Sequence, residues 1–388
     1  MLARLHTSIA STRNGGTLPC GDHDRDVSIA NPWRQLPSQL SMPVASGDTT
    51  IHHIRTMSLP LQICGTGHYL PERIVRSDEL DLTWQRPAGT TERELGIRQR
   101  HVAGAHESSS FMAARAAERA LAAAGLVCGD IDAIISACAV PEQAIPCLAV
   151  LVQREMGLGE SGIPAFDVNS TCLSFITALD VVSGLIACGR YGRVLIVSSE
   201  IASAGLDPQD PYTAGMFGDG AAAVVVQRSP QGSGSALLAS HFETYSKDAA
   251  HCRVEGGGTR LRPGLDGAAW LHGSYFRMDG HALYKRAAHY LPDFLARLLG
   301  RAGLDMTALD CVVPHQASHL ALKHLIPRLG LPAEKVINIF ADHGNQVAAS
   351  LPLALDAAVR GGAIRRGQRM LLLGTGAGVA LGGVVLEY

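Results

Sequence analysis

Three side chains in this 388-residue sequence are of the types that acyl-transfer chemistry uses: a cysteine, a histidine and an asparagine. Cys172 follows a predicted strand at the predicted start of a helix, where main-chain N–H groups and the helix dipole lower the pKa of a thiol. His315 and Asn345 follow two other predicted strands, at the sheet edge where α/β proteins bind ligands. If the three converge, they offer one thioester carbonyl a nucleophile, a proton-handling base and a neutral hydrogen-bond donor.

The segments around these residues alternate between strand-like and helix-like patterns. Ser108 is a predicted N-cap and Gly125 a predicted C-cap of an Ala-rich helix. This alternation predicts mainly parallel sheets covered by helices. The predicted helices are 108–125, 149–156, 173–188, 283–303, 320–329 and 348–360, and the predicted strands are 63–67, 131–139, 165–169, 193–199, 221–227, 311–314, 336–340, 370–373 and 379–386.

The second half of the chain repeats the order of the first. A near-constant offset between matching landmarks predicts a duplicated βαβ-rich unit, with an N-terminal half at 58–230 and a C-terminal half at 231–388. The offsets are 178 residues between Asp132 and Asp310, 173 between Cys172 and Asn345, and 175 between Gly192 and Gly367.

Composition excludes several classes of protein. With 47% hydrophobic residues and a formal net charge of −2, the chain lacks the signature of disorder and the basic character typical of nucleic-acid binding. No stretch is long and apolar enough to predict a membrane span. The nine cysteines are scattered without a CxxC motif, which disfavours a disulfide framework or zinc ribbon and favours a reducing, cytoplasmic location.

Residues 1–57 differ from the rest of the sequence. They are rich in Ser, Thr, His, Gly, Pro and Arg and lack strand or helix periodicity. We expect a disordered N-terminal extension, or one mis-assigned to a protein that starts at Met57. A weak similarity to a transit peptide is the alternative.

Two other enzyme classes use some of the same residues. Papain-like hydrolases also order Cys, His and Asn along the chain, but their cysteine lies near the mature N-terminus in a distinctive context that this sequence lacks. His315 and His319 are four residues apart, yet there is no HExxH motif and no third-ligand pattern. We therefore expect no metal site.

Six motifs, in order, make the sequence from 58 to 388 similar to the β-ketoacyl-acyl-carrier-protein synthase III family. The resemblance implies the thiolase-like fold, an α/β architecture of five αβαβα layers built from two duplicated halves. The motifs are Gly65–Gly67, Gly96–Arg100, Pro164–Asn169 before Cys172, Phe217–Ala221, Val313–Ala317, and His343–Asn345 followed by Ala348–Pro352.

The resemblance also implies roles for the three side chains. An acyl-CoA would acylate Cys172, and His315 and Asn345 would bind a malonyl thioester and promote loss of CO₂. The main-chain N–H groups of Cys172 and Ala377 would form an oxyanion hole. The expected partners are acyl-CoA, malonyl-acyl carrier protein and a second copy of the chain, with coenzyme A thioesters as substrates and no permanently bound cofactor.

The resemblance places Ile145 and Phe217 at the acyl pocket, where the smaller Ile145 would admit a longer or different acyl chain. It is weaker at Glu94, where family members use an arginine against coenzyme A, and at Ser318–Leu320, where they often have Asn-x-Arg. Two alternatives stay open: acyl transfer from Cys172 to an amine or hydroxyl without condensation, and a non-catalytic partner subunit that keeps the fold.

Overall fold

Residues 58–388 are described by a computed structural model, and the prediction for residues 1–57 lies outside this range. The strands are β1 (Leu61–Tyr69), β2 (Arg73–Arg76), β3 (Gln99–Val102), β4 (Ala133–Ser136), β5 (Ala165–Asp167), β6 (Arg193–Glu200), β7 (Gly220–Arg228), β8 (Ala236–Thr244), β9 (Cys252–Arg253), β10 (Arg277–Met278), β11 (Cys311–Pro314), β12 (Arg369–Gly376) and β13 (Ala380–Glu387).

Helices connect and cover these strands. The α-helices are α1 (Ser77–Thr83), α2 (Thr90–Leu95), α3 (Ser109–Ala123), α4 (Leu148–Glu155), α5 (Ser174–Ala187), α6 (Pro211–Met216), α7 (Pro263–Gly273), α8 (Gly280–Ala302), α9 (Ile326–Arg328), α10 (Phe340–His343) and α11 (Ser350–Arg360). Short 3₁₀ turns lie at Cys128–Asp130, Ala202–Gly205, Ser246–His251, Met306–Ala308, Ala333–Lys335 and Val347–Ala349, and a π turn lies at Ala321–Leu325.

Two large sheets share the order of four strands. The first runs β1-β7-β6-β4-β5 and the second runs β8-β13-β12-β11. Corresponding pairs of strands also run in the same relative direction. The β4–β6 pair is parallel, as is the β11–β12 pair. The β6–β7 and β7–β1 pairs are antiparallel, as are the β12–β13 and β13–β8 pairs. This repetition is the duplicated thiolase-like architecture. We propose 230/231 as the boundary between the halves, because each sheet then takes all of its strands from one half.

Helices α5 and α11 form the middle of five layers. One apolar core lies between the two sheets and includes both helices, and the alternation of each strand sends the other face outward. On β6, Val194 and Ile196 face this central core, whereas Leu195 and Val197 face α3 and α4. The second sheet packs its outer face on α8. The order of layers is therefore α3 and α4, first sheet, α5 and α11, second sheet, α8.

Local sequence features explain where these elements begin and how closely they pack. Ser108 caps α3 by accepting a hydrogen bond from the Phe111 N–H at 3.2 Å, as predicted. Gly67 on β1 lies directly under α3, where an added Cβ would come within 2.4 Å of the Ala120 nitrogen. A glycine is needed at this position because the helix backbone touches the strand backbone.

The expectation of mainly parallel sheets is wrong. Both sheets are mixed, because β7 and β13 run antiparallel to both of their neighbours. The turn from Ala377 to Val379 joins β12 to β13 directly, and a connection this short can only link antiparallel strands. Strand β8, which the sequence analysis missed, is half-exposed and carries Ser240, His241 and Glu243, so its apolar alternation is weak.

One further prediction fails between β11 and α11. Residues 336–340 form only one bridge, from Val336 to Val312, because side chains take the N–H groups that a ladder would use. Gln316 Oε1 accepts the Ile339 N–H at 3.0 Å, and Asn338 Oδ1 accepts the Phe340 N–H at 3.1 Å. The helix predicted at 320–329 is confirmed, since residues 319–328 are helical without a break, but Ala321–Leu325 form a π turn ahead of α9, whose Pro327 has no N–H to donate.

In the part of the chain from 58 to 388, no helix is long and apolar enough to cross a membrane.

Close packing of β1 on α3 predicts opposite effects for two Gly→Ala changes. Gly67→Ala forces its methyl group into the α3 backbone, so we expect the free energy of unfolding to fall by about 1–3 kcal/mol. Gly300→Ala lies on the exposed side of α8 with no neighbour within 4 Å, so higher helix propensity should raise it by up to about 1 kcal/mol. Urea unfolding of both variants checks this, and equal effects would contradict the close contact.

Candidate active site

The turn between β5 and α5 holds Cys172. Thr171, the residue before it, has a φ of 53°, a conformation that costs a β-branched residue about 1–3 kcal/mol. Asn169 holds this turn, because its Oδ1 accepts the Thr171 N–H at 2.9 Å and its Nδ2 donates to the Ala139 oxygen at 2.9 Å. The orientation of Cys172 therefore depends on a side chain three residues before it.

The environment of Cys172 raises the pKa of its thiol well above the ordinary value. Burial is the main cause, and Cys252 and Glu200 add to it. The main-chain N–H groups of Cys172 and Ala377 face the sulfur and offset only part of this effect. The predicted lowering of the pKa by a helix N-terminus is thus wrong, because desolvation of the thiolate outweighs the N–H groups.

His315 follows β11 and is buried next to the second sheet. Its N–H donates to the Leu373 oxygen at 2.7 Å, and burial lowers the pKa of its imidazole to about 4. The side chain lines a small cavity of about 40 Å³ together with Ala317, Gly374 and other residues. Its Nδ1 has no hydrogen-bond partner among residues 58–388. The imidazole is thus neutral at pH 7, and its Nδ1 is a buried atom that no group in this range satisfies.

Asn345 is buried between α10 and α11. Its Nδ2 donates to the Ala317 oxygen at 3.2 Å, and its Oδ1 accepts the Val347 N–H at 2.8 Å. The Ala317 N–H in turn donates to the His315 oxygen at 2.9 Å, so Ala317 links the two candidate residues. The Asn345 backbone pairs with the segment before β7, donating to the Met216 oxygen at 3.0 Å.

Ala377 begins the turn from β12 to β13, on the Cys172 side. The preceding Gly376 is required there, because an added Cβ would lie 2.9 Å from Thr171 Oγ1 and 3.3 Å from Leu173 Cγ. A cavity of about 290 Å³ borders Thr171 and Ala377 and extends along α5 to Phe242 and Leu381. The contact between Cys172 and the Ala377 N–H thus depends on two loops that are 205 residues apart in sequence.

The two predicted acyl-pocket residues lie in different environments, one buried and one exposed. Phe217 is buried beside Asn345, to which its backbone is bridged, and its ring meets that of Phe276 edge-on at 5.1 Å. Ile145 is 86% exposed and lines neither cavity near Cys172, so a single chain does not bring it to the site.

Internal symmetry shows residues that sequence reasoning missed. Ser174 Oγ accepts the N–H four residues earlier at 2.9 Å, and Ser350 Oγ does the same at 2.8 Å. Asn169 and Asn345 likewise accept the N–H two residues later, and each pair is 176 residues apart. The structural counterpart of Cys172 is therefore Ala348, not Asn345. The repeated Asn-x₄-Ser spacing in the sequence is the signal that could have revealed this.

Family models match two parts of the chain. The 3-oxoacyl-[acyl-carrier-protein (ACP)] synthase III model matches residues 166–246, and its C-terminal model matches residues 299–388. The β-ketoacyl-[acyl-carrier-protein] synthase III of Neisseria meningitidis serogroup B is 37% identical over 332 residues, covering 84% of this chain and 99% of that protein. The Bordetella petrii protein of the same name is 38% identical over 331 residues, covering 83% and 96%.

The chain belongs to the β-ketoacyl-acyl-carrier-protein synthase III family. Solved structures agree: 3-oxoacyl-(acyl carrier protein) synthase III from Pseudomonas aeruginosa PAO1 has a TM-score of 0.75 and 34% identity, covering 85% of this chain and 98% of that one. The Aquifex aeolicus VF5 enzyme has a TM-score of 0.75 and 31% identity, covering 84% and 100%. As a member of this family, the chain is a thiolase-like acyltransferase.

The residues that depart from the family pattern are partly or fully exposed. Glu94 pairs with Arg86. The ring of His319 packs over Gly96, whose added Cβ would lie 2.4 Å from the ring, and the next residue, Leu320, is exposed. Among residues 58–388, no group of three or more His, Cys, Asp or Glu side chains is arranged to hold a metal ion.

The raised pKa of Cys172 predicts how its alkylation depends on pH. We expect iodoacetamide to modify Cys172 about tenfold faster per pH unit from about pH 7 to pH 9, because only the thiolate reacts and its fraction is still small. Mass spectrometry of the Cys172 peptide measures the rate, and the exposed Cys188 in the same sample reports reagent activity. A plateau below the ordinary thiol pKa of 9.0 would contradict the desolvation of Cys172.

Proposed function

We propose that this protein condenses an acyl-CoA with malonyl-acyl carrier protein to give a β-ketoacyl thioester and CO₂, initiating fatty-acid or specialised lipid synthesis. One observation carries the proposal. The Cys172 sulfur faces two main-chain N–H groups from different loops, while His315 and Asn345, linked through Ala317, lie in the other half. A nucleophile with an oxyanion site and two neutral hydrogen-bonding side chains match the two steps of a decarboxylative Claisen condensation.

In the first step, the Cys172 sulfur attacks the acyl-CoA carbonyl. The N–H groups of Cys172 and Ala377 stabilise the oxyanion of the tetrahedral intermediate. The carbon–sulfur bond to coenzyme A breaks, and the thiol proton ends on the departing coenzyme A sulfur. Because burial disfavours the free thiolate, this site favours the neutral acyl thioester over the thiolate.

In the second step, His315 and Asn345 donate hydrogen bonds to the thioester carbonyl of the malonyl group. The carbon–carbon bond to the carboxylate breaks, CO₂ leaves, and the electron pair forms an enolate that the two donors stabilise. The enolate carbon attacks the acyl group on Cys172, the Cys172 thiolate leaves, and it takes up a proton from solvent water. A neutral imidazole can donate from one ring nitrogen, which agrees with the lowered pKa of His315.

Further parts of the proposal concern partners and location. Coenzyme A thioesters are substrates, and no cofactor is permanently bound. A homodimer is supported by the exposure of Ile145, which could cap an acyl pocket only across two chains. With Phe217 in the same pocket, we expect Ile145 to admit medium-chain acyl groups. A cytoplasmic location is supported by the free state of all eight cysteines in the described range.

Asn345→Ala separates the two steps. We expect acyl-CoA to add its acyl mass to the Cys172 peptide of both wild type and Asn345→Ala, and to leave Cys172→Ala unmodified. CO₂ release from malonyl-acyl carrier protein should fall about 10²–10³-fold in Asn345→Ala, because one donor to the enolate is lost. Mass spectrometry and labelled CO₂ measure the two steps.

Three results would contradict this function. Wild-type Cys172 that takes no acyl group argues against every acyl-enzyme, including transfer to amines or hydroxyls. An acyl-enzyme that malonyl-acyl carrier protein does not discharge, but an amine or alcohol does, identifies the alternative acyltransferase. Equal loss of both steps in Asn345→Ala would contradict the separate role of Asn345.

The pH dependence of the second step tests the state of His315. Because the pKa of His315 is lowered to about 4, its neutral form persists as the pH falls, and condensation by preformed acyl-enzyme should keep its rate down to about pH 5. Rapid-mixing measurements from about pH 4 to pH 8, with circular dichroism to confirm folding, check this. A midpoint near the ordinary histidine value of 6.5 would show a solvated imidazole instead.

A further inference from the structure

Glu200 is a buried carboxylate that the mechanism above does not use. It ends β6 and is 1% exposed. Its oxygens accept the Ala139 N–H at 2.5 Å and the Val140 N–H at 3.4 Å, and the Ala348 N–H also faces the carboxylate. A carboxylate removed from water needs such partners, and here they come from both halves of the molecule.

The first connection runs from Glu200 to Cys172. Ala139, whose N–H donates to Glu200, accepts the Asn169 side-chain amide at 2.9 Å. Asn169 Oδ1 then accepts the Thr171 N–H at 2.9 Å. Thr171 has a positive φ and comes directly before Cys172. Each link is a hydrogen bond between atoms of the described residues. The position of the Cys172 turn is thus tied to the Glu200 carboxylate.

The second connection runs from Glu200 to Asn345. Ala348 follows Val347, whose N–H donates to Asn345 Oδ1 at 2.8 Å and whose φ is 51°. This 3₁₀ turn from Val347 to Ala349 packs against β6, the strand that ends in Glu200. The carboxylate therefore touches the turn that orients the Asn345 amide.

The duplicated fold explains why a carboxylate can occupy this position. Strands β6 and β12 correspond, so Glu200 is the counterpart of Gly376, and Ala348 is the counterpart of Cys172. At the Cys172 site the glycine has no side chain, and the position of its missing Cβ lies 2.9 Å from Thr171 Oγ1 and 3.3 Å from Leu173 Cγ. At the matching site the Glu200 side chain faces the Ala348 N–H. The end of the strand thus carries no side chain in one half and, in the other, a carboxyl side chain that faces the matching N–H group.

We propose that Glu200 is a positioning residue that sets the separation of Cys172 and Asn345 by joining the turns that carry them. This inference rests on the roles proposed above for those two residues. Each turn contains a strained, β-branched residue, so neither holds its conformation without outside hydrogen bonds. Loss of the carboxylate leaves buried N–H groups short of an acceptor and lets the two turns move apart.

The charge of Glu200 provides a second, independent readout. The ionised Glu200 carboxylate raises the pKa of the Cys172 thiol. The other titratable groups near the Glu200 carboxylate are Cys138 and Asp219. Burial raises the pKa of Glu200 itself to about 8, so the anion is present at about pH 9 and largely protonated at about pH 6.5. Removing the charge should therefore speed Cys172 alkylation at the higher pH and leave it unchanged at the lower pH.

The test compares Glu200→Gln with Glu107→Gln in the full chain. Glu107 is equally buried and accepts the Gly104 N–H at 2.7 Å and the Glu72 N–H at 3.0 Å, but it has no link to the two turns. At about pH 9, where Glu200 is ionised, we expect Glu200→Gln to slow condensation by preformed acyl-enzyme about 10- to 100-fold, as misplacement of reacting groups does. Glu200→Gln should also raise the rate of Cys172 alkylation at about pH 9. Glu107→Gln should change neither the condensation rate nor the alkylation rate.

Unchanged condensation in Glu200→Gln, or an equal loss in both variants, would overturn the proposal. So would alkylation that falls together with condensation, since that pattern indicates general damage. If Glu200→Gln does not fold, Glu200→Asp replaces it: the shorter side chain should slow condensation without speeding alkylation. If wild-type Cys172 accepts no acyl group, the proposed function fails, whereas the alkylation comparison still tests the carboxylate beside Cys172.

Discussion

The turns that lead into α5 and α11 carry main-chain N–H groups that need acceptors, because both helices begin between the two sheets. Side chains meet this requirement in both halves. Ser174 and Ser350 accept the N–H four residues earlier, and Asn169 and Asn345 accept the N–H two residues later. The candidate site depends on this constraint, because the turns that satisfy it also present Cys172 and the Asn345 amide.

Burial then sets the protonation states of the site. The same removal from water shifts two groups in opposite directions, since it disfavours whichever form is charged. It lowers the pKa of His315 and raises the pKa of Cys172, so both are neutral at pH 7. Under the proposed mechanism, the main-chain N–H groups of Cys172 and Ala377 would stabilise the oxyanion that develops when a thioester reacts.

The accuracy of the sequence predictions varied with the range of the interactions that decide each element. Strand Cys311–Pro314 was predicted with its observed bounds, and the Ser108 cap was confirmed, because short apolar runs and capping residues act locally. The strand at 336–340 was wrong because the Gln316 side chain, more than twenty residues away, takes one of its N–H groups. Strand β8 was missed because pairing with β13, not its own pattern, keeps it extended.

The sequence by itself determined the chemistry-bearing residue types, the alternation of strands and helices, and the existence of a duplication, since each leaves a pattern along the chain. Only the tertiary structure decided that the pKa of the Cys172 thiol rises and that Glu200 faces both halves. These outcomes depend on which atoms surround a group after folding. The Glu200 carboxylate meets N–H groups 61 residues before it and 148 residues after it, and no local pattern reports such contacts.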